Sequence, residues 1–203
     1  MDHVPPAQIY ASGLRTQDIA KNLFTLPAHK DCNKQYQRDE DYFVQSIGPL
    51  AYGSQAGTAL WKDLSGRIQR TESQGLAMKV YHEFQFRSPG GIHAPSGKVF
   101  KLYDGERVRC VLWKITRGLY FKHYGRFLPS DHFKVIEMIE PERTPPAELV
   151  QLVQSLPSRG QHQGVFDYKF CCVETPDKLH LWMMLFWDRV VAWVGFYDPL
   201  GKD

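Results

Sequence analysis

The sequence PAHKDCNKQYQRDEDYF, residues 27–43, combines a metal-ligand pattern with the start of a predicted helix. His29 and Cys32 are separated by two residues, a spacing at which an imidazole and a thiolate bind one zinc ion. Apolar residues then recur at helical spacing, so we expect a helix from Asp31, as its N-cap, to about Ile47. Because four-coordinate structural zinc needs two such ligand pairs, this pair is half of a zinc site.

The composition is that of a globular protein. The chain has 203 residues, of which 43% are hydrophobic and 13% aromatic, enough for one large or two small domains. No apolar run reaches the roughly 18 residues of a membrane span, and the first residues lack the pattern of a signal peptide. Four cysteines in a chain of this length do not resemble a disulfide framework. We therefore expect a cytoplasmic protein with no membrane partner. The net charge of +3 is compatible with a nucleic-acid partner.

The rest of the chain predicts an α+β fold. Helices are expected at 54–70 and 105–123, and a short helix is expected to open at TPPAEL, 144–149, with Thr144 as its cap. Residues 76–103 are expected to be extended around a glycine- and proline-rich turn. The last part of the chain contains three strand candidates separated by short links, which predicts an antiparallel meander: residues 165–174, 179–187 and 189–197.

Three short motifs occur in order near the start of the chain. They are Asp2-His3, Asn22-Leu23 and Cys32-Asn33, and the acidic run DEDYF follows them. This order resembles the HNH, or ββα-metal, nuclease family, in which Asp-His ends a strand, Asn-Leu lies in the connecting segment and Cys-Asn begins a helix. The resemblance covers about the first 47 residues and implies metal-dependent hydrolysis of DNA phosphodiester bonds.

The resemblance also implies a role for each of four residues. His3 would be the general base, since a histidine titrates near neutral pH and can take a proton from water. Asp2 and Asn33 would bind Mg²⁺ or another divalent cation, which prefers oxygen ligands. Asn22 would orient His3 through hydrogen bonds.

The zinc pattern of the family is present only in part. In zinc-bearing members one Cys-x-x-Cys pair precedes the Asp-His, and a second pair flanks the Cys-Asn. His29 and Cys32 match the second pair, but Met1 directly precedes Asp2, so the first pair and the strand that would carry Asp2-His3 are expected to be absent.

Three explanations of this gap compete. The natural protein begins further upstream, or the finger has lost both zinc and activity, or packing replaces the zinc. We expect the first, with structural Zn²⁺ bound only if upstream ligands exist. The predicted organisation is a finger remnant at 1–47 followed by an α+β region at 48–203. The alternative function is a catalytically inactive HNH-like module that binds nucleic acid or protein.

Basic side chains are concentrated between residues 98 and 126. On the helix predicted at 105–123, the face opposite the apolar stripe carries Arg109, Lys114 and Arg117 among aromatic residues. Basic and aromatic side chains together suit contact with phosphates and bases, so these three residues are the predicted DNA contacts. Alternatively, the aromatic residues pack under the C-terminal sheet and the charges are solvated.

Overall fold

The computed structural model describes residues 2–14, 23–68, 74–88, 90–139, 145–160, 162, 164–174 and 178–198. The helices in these ranges are α1 (Lys30–Ile47), α2 (Gln55–Ile68), α3 (Gln74–His82), α4 (Gly105–Tyr124) and α5 (Ala147–Ser155). The strands are β1 (Asp2–Val4), β2 (Phe24–Leu26), β3 (Phe84–Gln85), β4 (Phe100–Lys101), β5 (Val135–Ile139), β6 (Phe166–Val173), β7 (Leu179–Phe186) and β8 (Val190–Tyr197). This combination of helices and antiparallel sheets confirms the predicted α+β class. None of the described helices is both long and apolar enough to cross a membrane.

The start of the chain forms a ββα unit. β1 pairs antiparallel with β2, with His3 opposite Thr25, and α1 follows. The expectation that the strand carrying Asp2-His3 is absent is therefore wrong. Two prolines follow Val4, and the residue before a proline favours extended backbone, which suits a strand that ends there. The N-cap of α1 is His29 and not Asp31, whose carboxylate lies in the first turn, where it is favoured by the helix dipole.

The C-terminal sheet confirms the predicted meander. β6, β7 and β8 are adjacent and antiparallel, and a fourth strand, β5, pairs with the free edge of β8. The alternation of side chains along β7 buries Trp182 and Phe186 completely on the face that packs against α4. On the opposite face, Lys169 donates a hydrogen bond to the Val153 carbonyl of α5 at 2.8 Å. The sheet is thus covered by a helix on each face.

The segment predicted as extended at 76–103 is largely not a strand. Gln74–His82 forms α3, which packs against α1, because Leu76 and Val80 are four residues apart and so share one face of a helix. Among the described residues of this segment, only Phe84–Gln85 and Phe100–Lys101 pair as strands, at the base of a long exposed loop. Thr144, the predicted cap of the short helix, lies outside the described residues, and Pro146 is at the N-cap position of α5.

One hydrophobic core joins the predicted finger to the rest of the chain. Val4 and Phe43 from the ββα unit belong to the same buried cluster as Trp182 of β7 and Trp187 of the turn that follows it. The Trp187 indole N–H donates a hydrogen bond to the Ile9 carbonyl at 2.8 Å. The two regions predicted from the sequence therefore pack directly on each other.

Gly118 allows β1 to approach α4, and we expect Gly118→Ala to destabilise the protein by about 1–2 kcal/mol. A Cβ at position 118 would lie 2.5 Å from Cγ2 and 3.1 Å from Cβ of Val4. Alanine is favoured over glycine in a helix by about 1 kcal/mol, but the Val4 Cβ cannot rotate away, so the steric effect is larger. Urea denaturation measures the change in unfolding free energy.

Gly66→Ala is the matched control, because a Cβ at that position of α2 has no neighbouring atom within 4 Å. It should stabilise the protein by up to about 1 kcal/mol through helix propensity alone. Equal effects at the two positions would contradict the close contact between β1 and α4.

Candidate functional site

A cavity of about 320 Å³ lies between β1, the segment after it, and the first turns of α1. Eight residues line this finger cavity: Asp2, His3, Pro6, Ala7, Gln8, Asn33, Gln37 and Glu40. The structure thus brings three of the four residues predicted to act in catalysis to one place. The fourth, Asn22, lies outside the described residues.

Two local patterns position these side chains. In β1, Asp2 and Val4 are two residues apart, so they share a face, and that face lies against Lys114 and Gly118, one turn apart on α4. In α1, Asn33, Gln37 and Glu40 recur at intervals of four and three residues and so share one side of the helix. The cavity lies between Asp2 and the residues after β1 on one side and the row on α1 on the other.

Two residues that line the cavity, Asp2 and Glu40, belong to a buried ion-pair network with Lys114. Lys114 Nζ donates a hydrogen bond to Asp2 Oδ1 at 2.7 Å and another to Glu40 Oε1. The side chains of Lys114 and Glu40 are 7% and 5% exposed, and that of Asp2 is 15% exposed. Two carboxyl groups therefore share one ammonium group in this network.

The charge state of Glu40 reflects this environment. Burial raises the pKa of Glu40, the hydrogen bond and charge of Lys114 oppose that rise, and the charge of Asp2 adds to it. The Gln8 side chain also hydrogen-bonds the carboxylate, which lowers the pKa. Lys114 is therefore the main group that favours the ionised form of Glu40.

His3 is half-buried at the edge of this network. Its Nδ1 atom is shielded from solvent and has no hydrogen-bond partner among the described residues. Because a buried imidazole nitrogen ordinarily has a partner, this atom is the one that an orienting residue would contact. The resemblance to the HNH family implies Asn22 for that role, and Asn22 lies outside the described residues.

The donor atoms of the cavity fit a hard, hydrated cation better than zinc. Among the described residues, no three His, Cys, Asp or Glu side chains form a group that could hold a metal ion. Mg²⁺ does not need such a group, since it keeps several waters and binds through one or two protein oxygens. The second carboxylate oxygen of Asp2 and the amide oxygen of Asn33 would supply these. His29, the predicted zinc ligand, is exposed at the N-cap of α1, and Cys32 lies in the first turn.

The three predicted DNA contacts have different environments. Arg109 is exposed, pairs with Glu106, and lines a cleft of about 530 Å³ together with Tyr36 and Lys134. Arg117 is half-buried, and its Nε donates a hydrogen bond to the Leu128 carbonyl at 2.7 Å.

The sequence pattern predicts Lys114 as a DNA contact on the face of α4 opposite the apolar stripe, but in the structure Lys114 is buried. Lys114 does not lie on an exposed face, because the sheet covers one side of α4 and the ββα unit covers another. The alternative, aromatic residues packed under the sheet, is confirmed for Trp113 and Tyr120, whose rings lie 5.5 and 5.8 Å from that of Phe196.

Sequence reasoning missed Glu40 as part of the site. Its spacing of seven from Asn33 was a usable signal, but Asp39 and Asp41 flank it, and a run of acids on a helix is usually solvated. The contact between Asp2 and Lys114 joins residues 112 positions apart. No local pattern predicts such a pair.

Comparison of the chain with protein-family models, with curated proteins and with solved structures finds no match. The case for a function therefore rests on the residues of this chain and on the geometry of the finger cavity.

Proposed function

We propose that this protein is a metal-dependent nuclease of the HNH type that hydrolyses DNA phosphodiester bonds. The observation that carries the proposal is the convergence of Asp2, His3 and Asn33 on one cavity of a ββα unit. These are three of the residues through which the sequence resembles that family.

The cavity provides the groups that phosphodiester hydrolysis requires. A divalent cation bound there would neutralise charge on the reacting phosphate. Asp2 and Asn33 would hold the cation through their oxygens. The imidazole of His3 would take the proton from the attacking water, a role worth about 10²–10⁴ in rate for a well-placed general base.

The cleft beside the finger cavity supports a DNA substrate. Tyr36 lies on α1, between Asn33 and Gln37 in the sequence. The centroid of its ring lies 5.2 Å from Lys114 Nζ, and Tyr36 also lines the cleft. Arg109 and Lys134 lie in that cleft. Phosphates of a bound strand would be attracted to these cations, because neutralising them releases counterions and favours binding.

A non-catalytic module that binds nucleic acid or protein is the second candidate. The ion pair between Lys114 and Asp2 favours it, because one of the two oxygens of the predicted cation ligand already accepts a hydrogen bond from an ammonium group.

Nicking of supercoiled plasmid distinguishes the two candidates. With Mg²⁺ or Mn²⁺ the protein should convert the plasmid to open circles, and EDTA should stop the conversion. Asn33→Ala should abolish turnover without loss of the fold, since it removes an oxygen ligand from a helix surface. Gln35→Ala, at an exposed position of α1, is the matched control and should nick normally.

Two results would count against the nuclease. Absence of nicking by the folded protein with every cation tried would favour the non-catalytic module. Nicking by Asn33→Ala at the rate of the unmodified protein would remove Asn33 from the cation site.

A further inference from the structure

Lys114 comes from outside the ββα unit and contacts two of the residues that line the finger cavity, Asp2 and Glu40. It lies on α4, and its ammonium group bridges Asp2 of β1 and Glu40 of α1. A cation held by the free oxygen of Asp2 would share its ligand with this ammonium group. The two positive charges would lie on either side of a single carboxylate, in a largely buried setting where charges are poorly screened.

We infer that Lys114 acts as an internal counter-cation that keeps divalent-cation binding weak at the finger cavity. The inference rests on the proposed function, because the cation site is the one proposed above. Weak binding in the free protein means that phosphate oxygens of a substrate contribute a large share of the cation ligands, as is usual for Mg²⁺.

Glu40 has the opposite role in this arrangement. Its carboxylate accepts a hydrogen bond from the same ammonium group, so it shares the positive charge of Lys114 with Asp2. Without Glu40, Lys114 would pair with Asp2 alone and this pair would be neutral. Without Lys114, the carboxylate of Asp2 would have no counter-cation, and Glu40 would lose the main group that opposes the rise of its pKa. The net charge of these three side chains therefore sets the affinity for a cation.

A purely structural role for Lys114 makes a different prediction. If the lysine only attaches α4 to the finger, its loss changes stability and leaves cation affinity unchanged. If it instead holds Asp2 in the geometry that a cation needs, its loss weakens binding. The direction of the change in affinity therefore distinguishes the three roles.

The test is titration of the whole chain with MnCl₂, without DNA, with free Mn²⁺ measured by electron paramagnetic resonance. Lys114→Met should bind Mn²⁺ roughly 10–100-fold more tightly than the unmodified protein, and Glu40→Gln should bind it more weakly by a similar factor. The double variant removes one charge of each sign and should return to within a few-fold of the original affinity. Lys62→Met removes an exposed lysine of α2 and should change affinity less than twofold, an effect that salt screens.

The double variant and Glu40→Gln keep the test decisive if Lys114→Met alone fails to fold, since neither leaves two unpaired carboxylates. Equal affinities in the folded variants, or weaker binding by Lys114→Met, would overturn the inference and leave the cation site in place. Binding by none of the proteins, including the unmodified chain, would overturn the proposed cation site itself and the inference with it.

Discussion

Replacing His3 with alanine is expected to lower the rate of plasmid nicking by about 10²–10⁴-fold, the usual contribution of a general base. His3 is the one imidazole that lines the finger cavity among the described residues, and it lies next to the predicted cation ligand Asp2. The variant loses the proton acceptor but keeps Asp2 and Asn33. Its affinity for Mn²⁺ should therefore remain within a few-fold of the original, while turnover falls.

His93→Ala is the matched control for this experiment. His93 is exposed in the loop that joins β3 and β4 and is not one of the described residues that line the finger cavity. Its loss should leave the rate unchanged. Partial recovery of the His3→Ala rate by imidazole in the buffer would support proton transfer as the role of His3. Nicking by His3→Ala at the original rate would show that another group activates the water.

The second large effect is expected at Trp187, where alanine should destabilise the fold by about 3–5 kcal/mol. The side chain is fully buried, its ring centroid lies 6.2 Å from that of Phe43, and its indole N–H donates a hydrogen bond to the Ile9 carbonyl. Alanine leaves a cavity at the contact between the sheet and the ββα unit and leaves a buried carbonyl without its donor. Urea denaturation followed by circular dichroism gives the change in unfolding free energy.

The backbone conformation at Trp187 also indicates that burial of its side chain stabilises the fold. Trp187 and Asp188 have φ angles of 51° and 57°, so the turn between β7 and β8 is left-handed at both central residues. Bulky residues rarely adopt this conformation, which costs roughly 1–2 kcal/mol, and burial of the indole ring offsets that cost. Trp187→Phe keeps a buried ring and should cost less than half as much as alanine. A loss below about 1 kcal/mol for Trp187→Ala would contradict a core shared by the sheet and the finger.

Long, regular patterns in the sequence predicted the fold well. The β6–β8 meander follows from three apolar runs separated by short links, and α4 follows from an apolar stripe over five turns. β1 and β2 have three residues each, too few for a periodic pattern, and they are stabilised by pairing with each other and by packing on α4. The segment at 74–82 contains few residues and a β-branched Val80, so its helical period was missed.

The site was predictable to the extent that it is encoded in short motifs. Asp2, His3 and Asn33 were found because a family order links them, and the structure places them around one cavity. Lys114 was assigned to a surface because it lies among other basic residues in the sequence. Its burial depends on β1, at the start of the chain, and such tertiary contacts are not visible in local patterns.

Paramagnetic broadening by Mn²⁺ locates a bound cation in this protein most directly. In amide spectra of the isotope-labelled chain, substoichiometric Mn²⁺ should first broaden the resonances of Asp2, His3 and Asn33. The resonances of α5 (Ala147–Ser155), which lies across the sheet from α4, should stay sharp. That result would place the cation in the finger cavity, as a metal-dependent nuclease requires. Selective broadening elsewhere, with the three cavity residues unaffected, would contradict this assignment.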